Sequence, residues 1–316
     1  MTSSTTERRD RPSAGPGGPT FLDRVDAAAA RGLVPLAIAN LVANIAIVLT
    51  GGVVRLTGSG LGCPTWPRCT DESYVPHGSL GIHGAIEFGN RLLTFALALI
   101  ALLTFLAAWR ARRRRAAKVA FVIGLGIPAQ ALIGGVTVLT DLNPWIVAFH
   151  LLVSLAIVAL CVRLLDLLRH PDAGTVQPPH APVVRRTALA VFVSGWVALY
   201  LGTVVTGSGP HAGDVNSPRT GLDPQLFSHV HAASVYVLVA LTGLALVVAR
   251  RSGDARLVRA VVVLLGVLVA QGAVGLTQYF TGLPEVLVAI HLVGAGVCSA
   301  CLAWVLVRAT RRTTPA

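Results

Sequence analysis

Eight long apolar runs, at about 34–54, 87–109, 119–139, 145–168, 187–206, 229–249, 257–278 and 286–307, restrict this chain more than any other feature. At roughly 1.5 Å of rise per residue, each is long enough as a helix to cross a bilayer, or nearly so. Inside hydrocarbon a span must satisfy its own backbone, which selects helices. Outer-membrane strands would alternate in segments of about ten residues. These runs are solid and about twice that length. Only 13% of residues are charged, where a soluble domain carries about a quarter. No amphipathic set is left over to cover so large an apolar core, so a water-soluble globule is excluded. The predicted fold class is an all-α integral membrane protein of eight transmembrane helices.

The formal net charge of +12 does not point to nucleic acid, because the basic residues are sorted by loop. Arg8, Arg9, Arg11, Arg24 and Arg31 precede span 1; Arg110, Arg112 to Arg115 and Lys118 lie between spans 2 and 3. Arg163, Arg169, Arg185 and Arg186 mark the join of spans 4 and 5, Arg250, Arg251, Arg256 and Arg259 that of spans 6 and 7, and Arg308, Arg311 and Arg312 follow span 8. The opposite loops hold only Arg55, Arg68 and Arg219. This positive-inside pattern requires an even number of spans and predicts both termini on the cytoplasmic side of a bacterial inner membrane. The Ser/Thr/Pro/Gly-rich start reads as a disordered tail rather than a signal peptide.

The chain also repeats itself. AQALIGGVTVLTDLNPWIVAFH, ending at His150, resembles AQGAVGLTQYFTGLPEVLVAIH, ending at His291; Gln130 and Gln271 are 141 positions apart, as are the two histidines. The same shift lays Asn90 on His231. Upstream, VVRLTGSGLG resembles GTVVTGSGPH at an offset of 149, so the two outer loops differ in length by about eight residues. Matching order and orientation predict two four-helix units related by a pseudo-twofold axis along the membrane normal. The expected division is a cytoplasmic tail at 1–32, an N-terminal half at 33–168, a linker at 169–186, a C-terminal half at 187–308 and a tail at 309–316.

Ionisable residues within spans are costly and invite a functional reading. His83, His150, His229, His231 and His291 lie near or inside the outward ends of even-numbered spans; His77, His170, His180 and His211 lie in loops. A single such histidine could be a neutral imidazole bonded to a neighbouring helix. As a set, His231 at the start of span 6 and His291 one turn into span 8 occupy matching depths, as a six-coordinate haem requires. Zinc would need further ligands at that depth. His229 is two residues from His231 and points elsewhere on a helix. In the first half His150 faces Asn90, a poor iron ligand. His83, Glu87 and Asn90 share a face, and Arg91 follows Glu87 by four. Glu87 is then either the partner of Arg91 or a proton relay.

TGSG at 57–60 lacks the strand-to-helix context of a phosphate loop. Cys63 and Cys69 face the oxidising side, as a disulfide or as two thiols. Cys161, Cys298 and Cys301 read as apolar packers. No Cys-x-x-Cys-His occurs, so covalent haem attachment is not indicated. Gly134, Gly135, Gly272 and Gly275 are expected to give smooth surfaces for helix contact. Trp66, Trp145, Trp196 and Trp304 are expected near the membrane interfaces.

With GGVVRLTGSGLGCPTWPRC, IEFGNR, the AFH of span 4, HVHAA and AIH in view, the chain from about Leu33 to Arg308 resembles the haem A synthase family. The resemblance implies oxidation of the C8 methyl of haem O to a formyl group. It implies a haem b cofactor on His231 and His291, and substrate haem O in the first half near His150, Asn90, Arg91 and His83. It makes Glu87 the essential carboxylate and Cys63–Cys69 an outer-loop disulfide. Asn90 stands where the family carries histidine, and Ala232 where it carries arginine. Implied partners are haem O, the lipid bilayer, an electron acceptor and a haem O synthase. Two rivals are a dihaem b-type electron carrier without substrate chemistry and a transporter built on a repeated bundle.

Overall fold

The structure is a computed structural model that describes residues 21–170 and 181–310, with side chains from Asp26 onward. The expected tail before residue 21, the linker segment 171–180 with His180, and residues 311–316 lie outside the described residues. So do Arg8, Arg9, Arg11, Arg311, Arg312 and the side chain of Arg24. Eight helices follow in order: α1 Phe21–Leu56, α2 Gly81–Arg110, α3 Arg114–Leu139, α4 Pro144–Arg169, α5 Pro182–Ser208, α6 Pro224–Arg251, α7 Ala255–Phe280 and α8 Glu285–Thr310. All eight are long and apolar enough to cross a membrane, and no strand occurs among the described residues. The chain is a multi-pass membrane protein.

The helices overrun the apolar runs because their first turns are set by caps rather than by hydropathy. Asp223 accepts hydrogen bonds from the backbone of Gln225 and Leu226, with Pro224 pre-set for the first turn, so α6 starts there. His231 therefore lies about two turns inside α6 rather than at its start. Asn143 caps α4 ahead of Pro144 in the same way, and Asp254 caps α7 through Arg256 and Leu257.

The turns repeat with the sequence. Arg112 and Gly253, 141 positions apart, both have positive φ (54° and 72°), as do Leu142 and Leu283 (59° and 61°). The amide of Leu142 donates to the Thr137 carbonyl and that of Leu283 to the Gln278 carbonyl, again at the same shift. Helices α1 to α4 form a ring of neighbours, α1–α2–α3–α4–α1, and α5 to α8 form a second. The rings meet through α4 on α8, α1 on α8 and α4 on α5. Exchanging each helix with its partner four places on reproduces this whole pattern. Neither α2 and α4 nor α6 and α8 touch: the even-numbered helices stand diagonally across each ring.

The largest cluster of buried apolar residues in each bundle lies toward its basic end. In the first it runs through Ala108, Ile123, Cys161 and Leu164; in the second through Val191, Ala245, Leu264 and Leu302. On α6 the buried residues fall between Leu238 and Ala249, and on α7 between Leu257 and Leu268. The histidine ends of those two helices contribute none. In the second bundle α6 and α7 are thus buried toward the basic end alone, whereas in the first Gly135, Thr137 and Val138 of α3 and Pro144 and Ala148 of α4 are buried near the level of His150 as well. The Ser299 hydroxyl donates to the Leu155 carbonyl across the α4–α8 contact (2.7 Å). Gly60 donates its amide to Gly213, joining the two long loops (2.8 Å).

Candidate functional site

Three histidines occupy equivalent settings. His150 on α4, His231 on α6 and His291 on α8 each lay an imidazole against a glycine of the preceding helix. A Cβ added at Gly134 would lie 3.4 Å from His150 Cε1, one at Gly202 3.2 Å from His231 Cε1, and one at Gly275 3.5 Å from His291 Cε1. Gly134 and Gly275 were expected to admit a neighbouring helix; they admit a ring instead. Gly135 receives the Trp66 indole, and a Cβ at Gly272 would meet nothing within 4 Å. In all three histidines Nδ1 is buried without a hydrogen-bond partner among the described residues. A buried polar atom left unpaired is unusual, and here it recurs at repeat-related positions. His231 and His291 stand on helices that lie diagonally across the second ring.

The repeated glutamine has a matching role. Gln130 donates to the His150 carbonyl (2.9 Å) and bonds the Ser154 hydroxyl. Gln271 packs its amide against Gly294, one turn beyond His291. Each glutamine reaches onto the helix that carries a histidine.

The first half differs at α2. Asn90 Oδ1 accepts a hydrogen bond from the Thr50 hydroxyl of α1 (2.8 Å). Glu87, only 4% exposed, is held on both oxygens. Oε2 accepts from the Cys63 amide (2.6 Å), and Oε1 from Arg91 Nε (3.1 Å) and Nη2 (2.5 Å). Arg91 also donates to the carbonyls of Cys63, Thr65 and Arg68. Glu87 and Arg91 together fasten the loop that Cys63–Cys69 closes; those two cysteines form a disulfide. Cys161, Cys298 and Cys301 are buried thiols.

His83 is exposed, and its Nδ1 pairs with Ser59 Oγ (2.9 Å), which also meets Thr57 Oγ1 (2.8 Å). The TGSG loop thus holds His83 through Ser59. His229 is exposed beside the Tyr279 hydroxyl (3.4 Å). Trp66 lies on Gly135, near the end of α3, and Trp196 sits midway along α5 beside Phe192, with a buried, unpaired Nε1. Thr50, Ser59 and Gly202 are contacts that the sequence does not announce, since their partners come from other helices or loops. Among the described residues no cluster of three or more His, Cys, Asp or Glu could hold a metal ion. A porphyrin iron held between two imidazoles needs no such cluster.

Fold and site together define a membrane protein made of two like four-helix rings, the first offering imidazole from α4 and the second from the diagonal pair α6 and α8. Residues 35–83 and 81–213, more than half of the chain, match the COX15-CtaA family, described as cytochrome oxidase assembly protein. The chain belongs to that family. It is 31% identical over 176 residues to the heme A synthase of Lysinibacillus sphaericus, covering 54% of this chain and 56% of that protein. It is 27% identical over 173 residues to the heme A synthase of Listeria monocytogenes serovar 1/2a, covering 52% and 56%. With the heme A synthase of Bacillus mycoides it shares 30% over 123 residues, 38% and 39% of the two chains. The chain spans about half the length of the curated relatives it matches. The family match includes Cys63, Cys69, Glu87, Asn90, Arg91 and His150; His231 and His291 lie beyond it.

Proposed function

We propose that this protein is a haem A synthase, oxidising the C8 methyl of haem O to a formyl group with the help of a bound haem b. The observation that carries this reading is the recurrence of an imidazole with a buried, unpaired Nδ1 at His150, His231 and His291, the last two on diagonal helices, in a chain whose relatives are named heme A synthase. The second bundle suits haem b. His231 and His291 come from helices held apart, Gly202 and Gly275 leave room beside their rings, and the apolar core stops short of them. When bound, that haem supplies one-electron transfer; the protein supplies placement and surroundings.

The first bundle takes the substrate. His150 binds and orients haem O, with Gly134 leaving space at its ring. The farnesyl tail of haem O is lipid-like, and it enters between helices from the bilayer, where Leu92, Leu93 and Phe95 of α2 and Leu132 and Val136 of α3 are exposed. Glu87 Oε2 is the atom that takes or gives a proton as the methyl is oxidised, while Arg91 supplies the countercharge. The disulfide loop covers this carboxylate and keeps water from it. Both termini lie in the cytoplasm of a bacterial cell. A haem O synthase delivers substrate, and a separate acceptor removes electrons.

The test is co-expression with a source of haem O in cells lacking haem A, followed by extraction of the pigment. Accumulation of haem A supports the reading. Bound haem with no conversion of haem O favours a dihaem electron carrier, and a chain that purifies without any visible absorption favours a transporter.

A further inference from the structure

In the second bundle the diagonal helices α6 and α8 carry His231 and His291, each laid against a glycine of the preceding helix. In the first, the same two positions, 141 residues earlier, are Asn90 and His150. An asparagine could reach iron only through its carbonyl oxygen, because its amide nitrogen is a pure donor. That oxygen is engaged: Thr50 donates to it at 2.8 Å, closer than the 3.2 Å between the same hydroxyl and the Ile47 carbonyl. Among the described residues the amide group makes no other hydrogen bond, so its N–H groups are the part left to offer. The histidine of α2, His83, lies seven residues before Asn90 and is tied to Ser59.

We infer that the first chamber holds porphyrin iron through His150 alone, and that Asn90, fixed by Thr50, is a positioning residue that lends an N–H to a small ligand on the opposite face. This rests on the first bundle being the substrate side. The chemistry is that of a one-histidine haem: a vacant axial position admits a small molecule, and a nearby donor decides how it is held. The second chamber, with imidazole on both faces, admits none. The two chambers are thereby divided into one that accepts small ligands and one that only passes electrons.

The experiment uses the full chain, purified and titrated with ferric protoporphyrin IX as the probe, with spin state read by electron paramagnetic resonance. Cyanide affinity is read by difference absorbance. The His231- and His291-dependent low-spin signal serves as the folding control in every variant. The expected result is a second, His150-dependent haem that is high-spin and binds cyanide. Asn90→His should convert it to low-spin and abolish cyanide binding. Asn90→Leu should keep it high-spin but weaken cyanide about tenfold, the size of one hydrogen bond to a charged ligand. Thr50→Val should weaken cyanide by a smaller factor, and His83→Ala should change nothing. A His150-dependent haem that is already low-spin in the wild type, or unchanged cyanide affinity in Asn90→Leu, overturns the inference alone. Absence of any His150-dependent haem, with the control signal intact, overturns it together with the substrate-side reading.

Discussion

The two bundles share ring order, turn geometry and the level at which their imidazoles lie, yet α2 and α6 have been equipped differently. At the place of Glu87, α6 carries Ser228, whose hydroxyl merely returns to the Pro224 carbonyl of its own helix (2.7 Å). At the place of Arg91 it carries Ala232, and at the place of Asn90, His231. The first bundle thus has a carboxylate, its countercharge and a disulfide loop clamped over them; the second has a second imidazole and a shorter loop without cysteines. A duplicated scaffold gives both halves the same chamber. On the proposed function, what separates the substrate site from the haem b site is three positions on one helix face and the loop they fasten.

The contrast can be broken by variants, taken here from the largest effect down. Glu87→Ala leaves Arg91 without its partner in a half-buried setting, which costs about 3–5 kcal/mol in comparable pairs. Thermal melting in detergent should fall sharply and haem A should disappear from cells, whereas Ser228→Ala should shift melting by less than about 0.5 kcal/mol equivalent. Undiminished haem A in Glu87→Ala would remove the carboxylate from the reaction. Replacing Cys63 and Cys69 by serine should cost about 2–3 kcal/mol through the freed loop, seen as a lower melting temperature that reductant no longer changes. Gly202→Val pushes a side chain into the His231 ring, an overpacking worth about 1–3 kcal/mol. It should perturb the absorption of the resident haem, while Gly134→Val, beside His150, should leave that band alone. At the small end, Arg112 uses positive φ where its counterpart is Gly253. Arg112→Gly should therefore raise stability by about 1 kcal/mol, measurable as a melting shift of a few degrees at most.

Much of this was legible in the sequence because hydrocarbon imposes strict rules. The eight spans, their alternation and the constant offset between Gln130 and Gln271, or His150 and His291, all follow from runs and spacing. Helix starts were less legible: a search for apolar runs passes over Asp223-Pro224, although the cap chemistry is written there. Leu142 and Leu283 adopt a conformation that favours glycine, so local propensity gives no warning of those turns. The clasp on Glu87 depends on a backbone amide 24 residues away, and Thr50 meets Asn90 only because α1 packs on α2. Such contacts belong to the packed rings and not to any local pattern. The glycines illustrate the same limit: small residues in a span announce a close approach, but only the fold says that the visitor is an imidazole.

The most direct measurement is the low-spin b-haem signal of the purified protein in three variants. His231→Ala and His291→Ala should each lose it, while His150→Ala, beside the other chamber, should keep it at one haem per chain. A normal low-spin signal that survives in both His231→Ala and His291→Ala would contradict the division of the molecule into a relaying bundle and a reacting one.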